Sequence, residues 1–287
     1  MKNAKVLDQF YTNPEVAKEL VIELKELLME MDYEAPAFIE PSAGAGAFLE
    51  ALAPTDFWYA GDLEPCYSNV IENNFLENRL KVNHKRADLV VFGNPPFGKR
   101  AQLAVDFLNE SFSYSDTVAF ILPLQFRKYY TQRKINDSAK LIYDELCPEE
   151  SFLFKGKPYA VRCSFQVWTL KQTAHKDLRV RTAPPTNHSD FSAWIYNATK
   201  EAEVAFDQDW EYAVRRQGWG DFSIIARDDS VQLSKKIQWM LIKPLSETAR
   251  KNILAIDYES LAKRNTSVMG FGKADLVDEY ITLFGSQ

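Results

Sequence analysis

The 287-residue chain is 46% hydrophobic and 26% charged, ordinary for a soluble globular protein, and its net charge of -6 argues against a protein that coats nucleic acid nonspecifically. No apolar run approaches the roughly 18 residues of a spanning helix, Met1-Lys2-Asn3-Ala4-Lys5 leads into no apolar signal core, and Cys66, Cys147 and Cys163 form no Cys-x-x-Cys pair for a zinc knuckle or disulfide framework. A reducing, cytoplasmic setting is expected, with no membrane partner.

In chain order, Gln9-Phe10-Tyr11-Thr12-Asn13-Pro14 precedes a helix. Proline suits a first helical position, and Thr12 or Asn13 can cap it. Val16, Leu20, Leu24, Leu27 and Leu28 recur at helical spacing to about Met31. Phe38-Ile39 reads as a short strand running into Glu40-Pro41-Ser42-Ala43-Gly44-Ala45-Gly46, a glycine turn followed by a helix. Gly44 and Gly46 let backbone N–H groups approach a ligand closely. Residues 57–62 read as the next strand, ending in Asp62-Leu63-Glu64-Pro65. An acid at that strand tip is the usual place to grip a ribose diol. The turn lacks the third glycine of the dinucleotide fingerprint, because Leu49 stands there, and no Lys-Ser/Thr follows as in a phosphate loop. A nucleoside without a pyrophosphate is therefore implied, and S-adenosylmethionine fits.

The apolar strand at 88–93 stops abruptly at Gly93-Asn94-Pro95-Pro96-Phe97, since proline lacks a donor and restricts its predecessor. This stiff turn holds an amide and an aromatic face at fixed positions, which suits a flat heteroaromatic amine. An ordinary strand-ending turn is the alternative. A helix near 101–112 and a buried strand at 118–123 follow. Arg127 to Asp137 is basic and aromatic, with Lys128, Tyr129, Tyr130, Arg133 and Lys134, and is either a solvated face or a loop tracking a phosphate backbone. Residues 152–154 and 161–170 read as two further strands.

Strands alternating with helices and then two close strands predict an α/β fold: a Rossmann-like, mostly parallel sheet with an antiparallel strand. Ligands of such sheets sit at the carboxyl ends of strands, where the glycine turn, Asp62 and Asn94 all fall. The texture changes after Leu170, and 171–287 reads as a smaller, irregular, aromatic region. It carries Arg215-Arg216-Gln217, a helical run through Ile237, Met240 and Leu241, helices near 246–254 and 257–263, and a final helix after Lys273. His84, His175 and His188 lie far apart and read as surface or loop residues, so no metal site is expected.

In combination these motifs resemble the S-adenosylmethionine-dependent amino methyltransferases of nucleic acids, particularly adenine-N6 DNA methyltransferases, over about residues 8 to 170. The resemblance implies a catalytic domain at 1–170 and a target-recognition region at 171–287. It implies that Tyr11 and Thr12 contact the methionine part of the cofactor, that Glu40, Pro41, Ala43, Gly44 and Gly46 form its loop, and that Asp62 holds the ribose hydroxyls with Leu63 against the adenine ring. Asn74, in Asn74-Phe75-Leu76, stands where the family has an acid for the adenine amine; an amide oxygen can accept the same bond. Asn94, Pro95, Pro96 and Phe97 match the catalytic motif, and Phe154 the downstream aromatic.

The implied activity is methyl transfer to N6 of adenine in duplex DNA, either paired with a cognate restriction endonuclease or alone. Rivals are transfer to RNA bases or a protein glutamine, and a non-catalytic nucleic-acid-binding module. Arg127 and Lys128 would bind backbone. Arg215, Arg216 and Gln217 would read base edges or form a salt-bridged surface patch.

Overall fold

The computed structural model describes residues 11–154, 156–218, 220–228, 232–264, 266 and 268–285. Gln9 and Phe10 of the N-terminal motif, and Trp219, lie outside the described residues. The chain divides into two compact units after Arg181.

The first unit is built on a seven-stranded sheet of order β4-β3-β2-β5-β6-β10-β7, comprising β2 (Ala37–Glu40), β3 (Trp58–Asp62), β4 (Ile71–Glu72), β5 (Leu89–Gly93), β6 (Thr117–Pro123), β7 (Lys140–Leu146) and β10 (Cys163–Thr169). Six of the strands run parallel to one another and β10 runs opposite to them. The α/β sheet expected from sequence is thus observed. Strand order reverses between β2 and β5, and that switch point is where such sheets bind ligands.

Period-two alternation explains the layers. Phe38, Val90, Phe92, Ala119, Ile121, Phe165 and Val167 pack on one face, under α1 (Pro14–Glu30) and α2 (Ala47–Glu50). Ile39, Val91, Val118, Phe120, Leu122 and Trp168 pack on the other, under α3 (Gln102–Ser111). Asn13 caps α1, its side chain accepting from the Glu15 N–H with Pro14 at the first turn, a cap worth about 1 kcal/mol. A small antiparallel sheet joins β1 (Tyr11–Thr12), β8 (Phe152–Phe154) and β9 (Lys157–Tyr159), with Thr12 opposite Phe152. A four-residue helix α4 (Tyr129–Gln132) lies in the loop after β6.

Two features differ from expectation in this unit. The strand β7 went unread, because its outer residues are half-exposed and charged and blur the alternation. The unit also continues past 170. Arg179 is buried, and its guanidinium donates to the carbonyls of Gln132, Ile135, Asn136 and Ala139 at 2.6 to 3.0 Å. Those charged hydrogen bonds sew the polar stretch after Leu170 to the loop around α4.

The second unit is an antiparallel sheet of order β11-β14-β12-β13, from β11 (Phe191–Tyr196), β12 (Tyr212–Arg215), β13 (Ile225–Ala226) and β14 (Trp239–Pro244). The helices α5 (Glu247–Ala255), α6 (Tyr258–Arg264) and α7 (Lys273–Phe284) share its core through Ile253, Leu261, Leu276 and Tyr280. The run through Met240 and Leu241 is therefore a strand and not a helix. It is paired on both sides and buried on both faces, and a continuous apolar run does not reveal its period. Among the described residues no helix is long and apolar enough to cross a membrane.

Candidate active site

A cleft of about 420 Å³ opens at the carboxyl ends of β2, β3 and β5. Its wall includes Tyr11, Thr12, Glu40, Pro41, Ala43, Gly44, Asp62, Leu63, Asn74 and the whole of Asn94-Pro95-Pro96-Phe97. Residues spread over more than eighty positions of sequence thus meet because parallel strands deliver their tips to one edge.

On one side, backbone and carboxylates interlock. Asp62 Oδ2 accepts the Gly44 N–H at 2.7 Å and Oδ1 the Glu64 N–H at 2.9 Å, which fixes the glycine turn to the tip of β3. A carboxylate offers about four acceptor positions, so Asp62 retains capacity for a ligand. Glu40 is only 2% exposed, and its Oε2 has no hydrogen-bond partner among the described residues. Burial, and then the nearby Asp62, push its carboxyl well above the ordinary range. Gly46 has a left-handed φ of +84° and is roofed by Tyr67, whose ring would lie 2.4 Å from any Cβ there. The phenol of Tyr11 is also pushed up, first by burial and then by Cys66 and Asp62.

On the other side the turn is held by shape. Gly93 has φ +127°, and a Cβ there would come within 3.1 Å of Glu40 Cγ, so only glycine lets β5 end this close to β2. Ser42 Oγ donates to the Asn94 carbonyl at 3.2 Å, tying the glycine turn to the proline turn. Phe97 meets Phe152 edge-on, with centroids 6.4 Å apart and planes at 88°. Beyond it the chain is strained. Arg100 (φ 55°, ψ 32°) and Ala101 (φ 54°, ψ 22°) are consecutive left-handed residues without being glycine, at about 1–2 kcal/mol each.

Several expected residues stand elsewhere. Phe154 is not on the wall; Phe152 is, two residues earlier on the same face of β8, while the Phe154 ring lies 5.8 Å from Tyr159. Arg127 is held by Asp144 of β7, Nε to carboxylate at 2.9 Å with both side chains under 20% exposed, so it is a structural ion pair rather than a backbone clamp. Lys128 precedes α4, where its carbonyl accepts the Thr131 and Gln132 N–H groups, and it is not on the wall either. Asn74 does reach the wall, but its Oδ1 accepts the Leu76 N–H at 3.3 Å and so shapes its own turn. In the second unit Arg216 is turned inward, with Nη1 donating to Gln238 Oε1 at 2.7 Å, and burial lowers its pKa. Arg215 packs over Gly220, and Gln217 is exposed.

Sequence reading missed Asn73, Phe107 and Phe152 on the wall. Phe152 was recoverable from strand alternation with Phe154, whereas nothing local marks Phe107 apart from core. Across the wall there are four acidic side chains, Glu40, Asp62, Glu64 and Glu77, and among the described residues no Lys or Arg. Among the described residues no group of three or more His, Cys, Asp and Glu could hold a metal ion.

No family model and no curated protein matches the chain. Solved structures do. A proposed RNA methyltransferase of Pyrococcus horikoshii is 18% identical with a TM-score of 0.41, over 58% of this chain and 90% of its own. A proposed methylase of Haemophilus influenzae is 14% identical with a TM-score of 0.37, over 54% of this chain and 99% of its own. An S-adenosylmethionine-dependent methyltransferase of Clostridium acetobutylicum is 10% identical with a TM-score of 0.27, over 82% of this chain and 92% of its own. Similarity this low leaves the chemistry to be read from this chain's own residues.

Proposed function

We propose that the chain is an S-adenosylmethionine-dependent methyltransferase that methylates the N6 amine of adenine in DNA. One observation carries this: the cleft that unites the glycine turn, Asp62 and Asn94-Pro95-Pro96-Phe97 has four acidic side chains on its wall and, among the described residues, no cationic side chain. A pyrophosphate would meet no counter-charge there. A cofactor with a nucleoside and a positively charged sulfur suits it, and the Oε2 of buried Glu40, unpartnered among the described residues, is a polar atom that a ligand can satisfy. The volume falls in the range of ligand pockets, roughly 300–1,000 Å³.

When bound, S-adenosylmethionine supplies an electrophilic methyl group. The residues of the chain supply position and field. Asp62 would hold the ribose hydroxyls, with Leu63 lying against the adenine ring. The Asn94 side-chain oxygen and the Pro95 carbonyl would accept the two hydrogens of the target amine, drawing its lone pair toward the methyl. A base inside a duplex must first be extruded, at a few kcal/mol. Stacking on Phe97, about 1–3 kcal/mol, would offset much of that.

The test is to supply labelled S-adenosylmethionine with duplex DNA, RNA and protein extract in turn. Label recovered as N6-methyladenine from DNA supports the proposal. Transfer confined to RNA or protein would replace the substrate, and transfer to none would remove the enzyme.

A further inference from the structure

The acidic wall of the cleft can take a base but repels the phosphates on either side of it. Four exposed cations of the unit lie on two loops that follow β5 and β6, at the carboxyl edge of the sheet. Lys99 and Arg100 directly follow the Phe97 turn and are both exposed, carried outward by the left-handed step at Arg100 and Ala101. Lys134, from the loop after β6, reaches the first turn of α3, where its Nζ donates to Gln102 Oε1 at 2.9 Å. Asn109 fastens that loop to α3, donating to the Lys134 carbonyl and accepting the Asn136 N–H, each at 2.9 Å. Arg133, beside Lys134, lies 5.3 Å from the exposed ring of Tyr130.

Among the described residues none of these four cations is paired with a carboxylate, whereas Arg127, Arg179 and Arg181 lie against Asp144, Asp137 and Asp177. Gln102, which accepts from Lys134, in turn donates its Nε2 to Asp106 Oδ1 at 2.8 Å.

Resting on the function proposed above, we propose that Lys99, Arg100, Arg133 and Lys134 form a phosphodiester-binding strip that holds the DNA strand flanking the target base. The strip explains how a chain of net charge -6 would engage a polyanion: affinity resides in a local band of cations, while the pocket stays acidic for its cofactor.

The test is salt-dependent binding of a labelled DNA duplex. It compares the wild type, Lys99→Ala/Arg100→Ala, Arg133→Ala/Lys134→Ala, and a charge-matched control, Lys18→Ala/Lys81→Ala, at exposed positions elsewhere. Each lost phosphate contact should reduce the slope of log affinity against log salt by about 1. Both strip pairs should therefore show shallower slopes and affinity reduced about tenfold or more near 0.1 M salt. They should also show a raised KM for DNA with kcat near wild type, and unchanged S-adenosylmethionine binding. The control should keep the wild-type slope.

Wild-type slopes in both strip pairs, or an equal loss in the control, overturn the strip while leaving the methyltransferase standing. A strip-dependent slope with RNA but not DNA overturns the assignment to DNA. A wild-type protein that neither binds nor methylates nucleic acid overturns the function on which the strip rests.

Discussion

The two sides of the cleft are built on different principles. The glycine-turn side is electrostatic: Asp62 takes two backbone N–H groups, and the carboxyl of buried Glu40 nearby has an Oε2 without a partner among the described residues. The Asn94–Phe97 side is steric: two prolines, a glycine that must be glycine, an edge-on aromatic pair and a left-handed step beyond. On the proposed function, one side would bind a cation-bearing nucleoside and the other would fix the angle at which an amine arrives. Substitutions on the two sides should therefore separate affinity from rate.

The sharpest separation comes from Asn94→Ala. It removes the amine's acceptor and should cut single-turnover transfer by about a hundredfold or more, as loss of a positioned polar group typically does, while cofactor affinity measured by calorimetry stays near wild type. Asp62→Ala should do the reverse. Loss of a charge-assisted contact weakens S-adenosylmethionine binding by about tenfold or more, and transfer at saturating cofactor falls much less. If both variants lost affinity and rate together, the division between the sides would be wrong.

Glu40→Gln probes the electrostatic side through pH. The native carboxyl lies well above its ordinary 4.5, so the folded state holds its proton more tightly than the unfolded chain. The wild type therefore loses stability as pH rises above about 4.5 toward the native value. Glu40→Gln removes that loss, so its melting temperature should exceed that of the wild type by more at pH 8 than at pH 5. Its cofactor binding should weaken, an exchange of function for stability. A difference that is flat with pH would mean that Glu40 is not the titrating group.

Arg100→Gly is the smallest effect and tests the steric side. Relieving the left-handed φ of 55° should stabilise the fold by about 1 kcal/mol, seen as a melting shift of a few degrees, while DNA affinity falls with the lost charge. An unchanged or lower melting temperature would mean that the turn carries no strain.

Much of this cleft was legible in the sequence, because strand-ending motifs name their own place: Gly44, Asp62 and Asn94 each follow an apolar run, and the topology of a parallel sheet brings such ends together. What was not legible depends on partners far along the chain. Arg127 looks like a free cation until Asp144 of β7 is found beside it. Arg179 looks like linker until its four carbonyl partners are seen. The strand through Met240 and Leu241 is apolar throughout, so its period is hidden. Conversely, Lys99 and Arg100, which pair with no carboxylate among the described residues, carry no motif.

The most direct measurement is to identify the product of DNA incubated with labelled S-adenosylmethionine and either wild type or Asn94→Ala, with cofactor binding measured on both. The expected result is N6-methyladenine from the wild type, essentially none from the variant, and similar cofactor affinity. Label in cytosine, or equal turnover by Asn94→Ala, would contradict the assignment of this cleft.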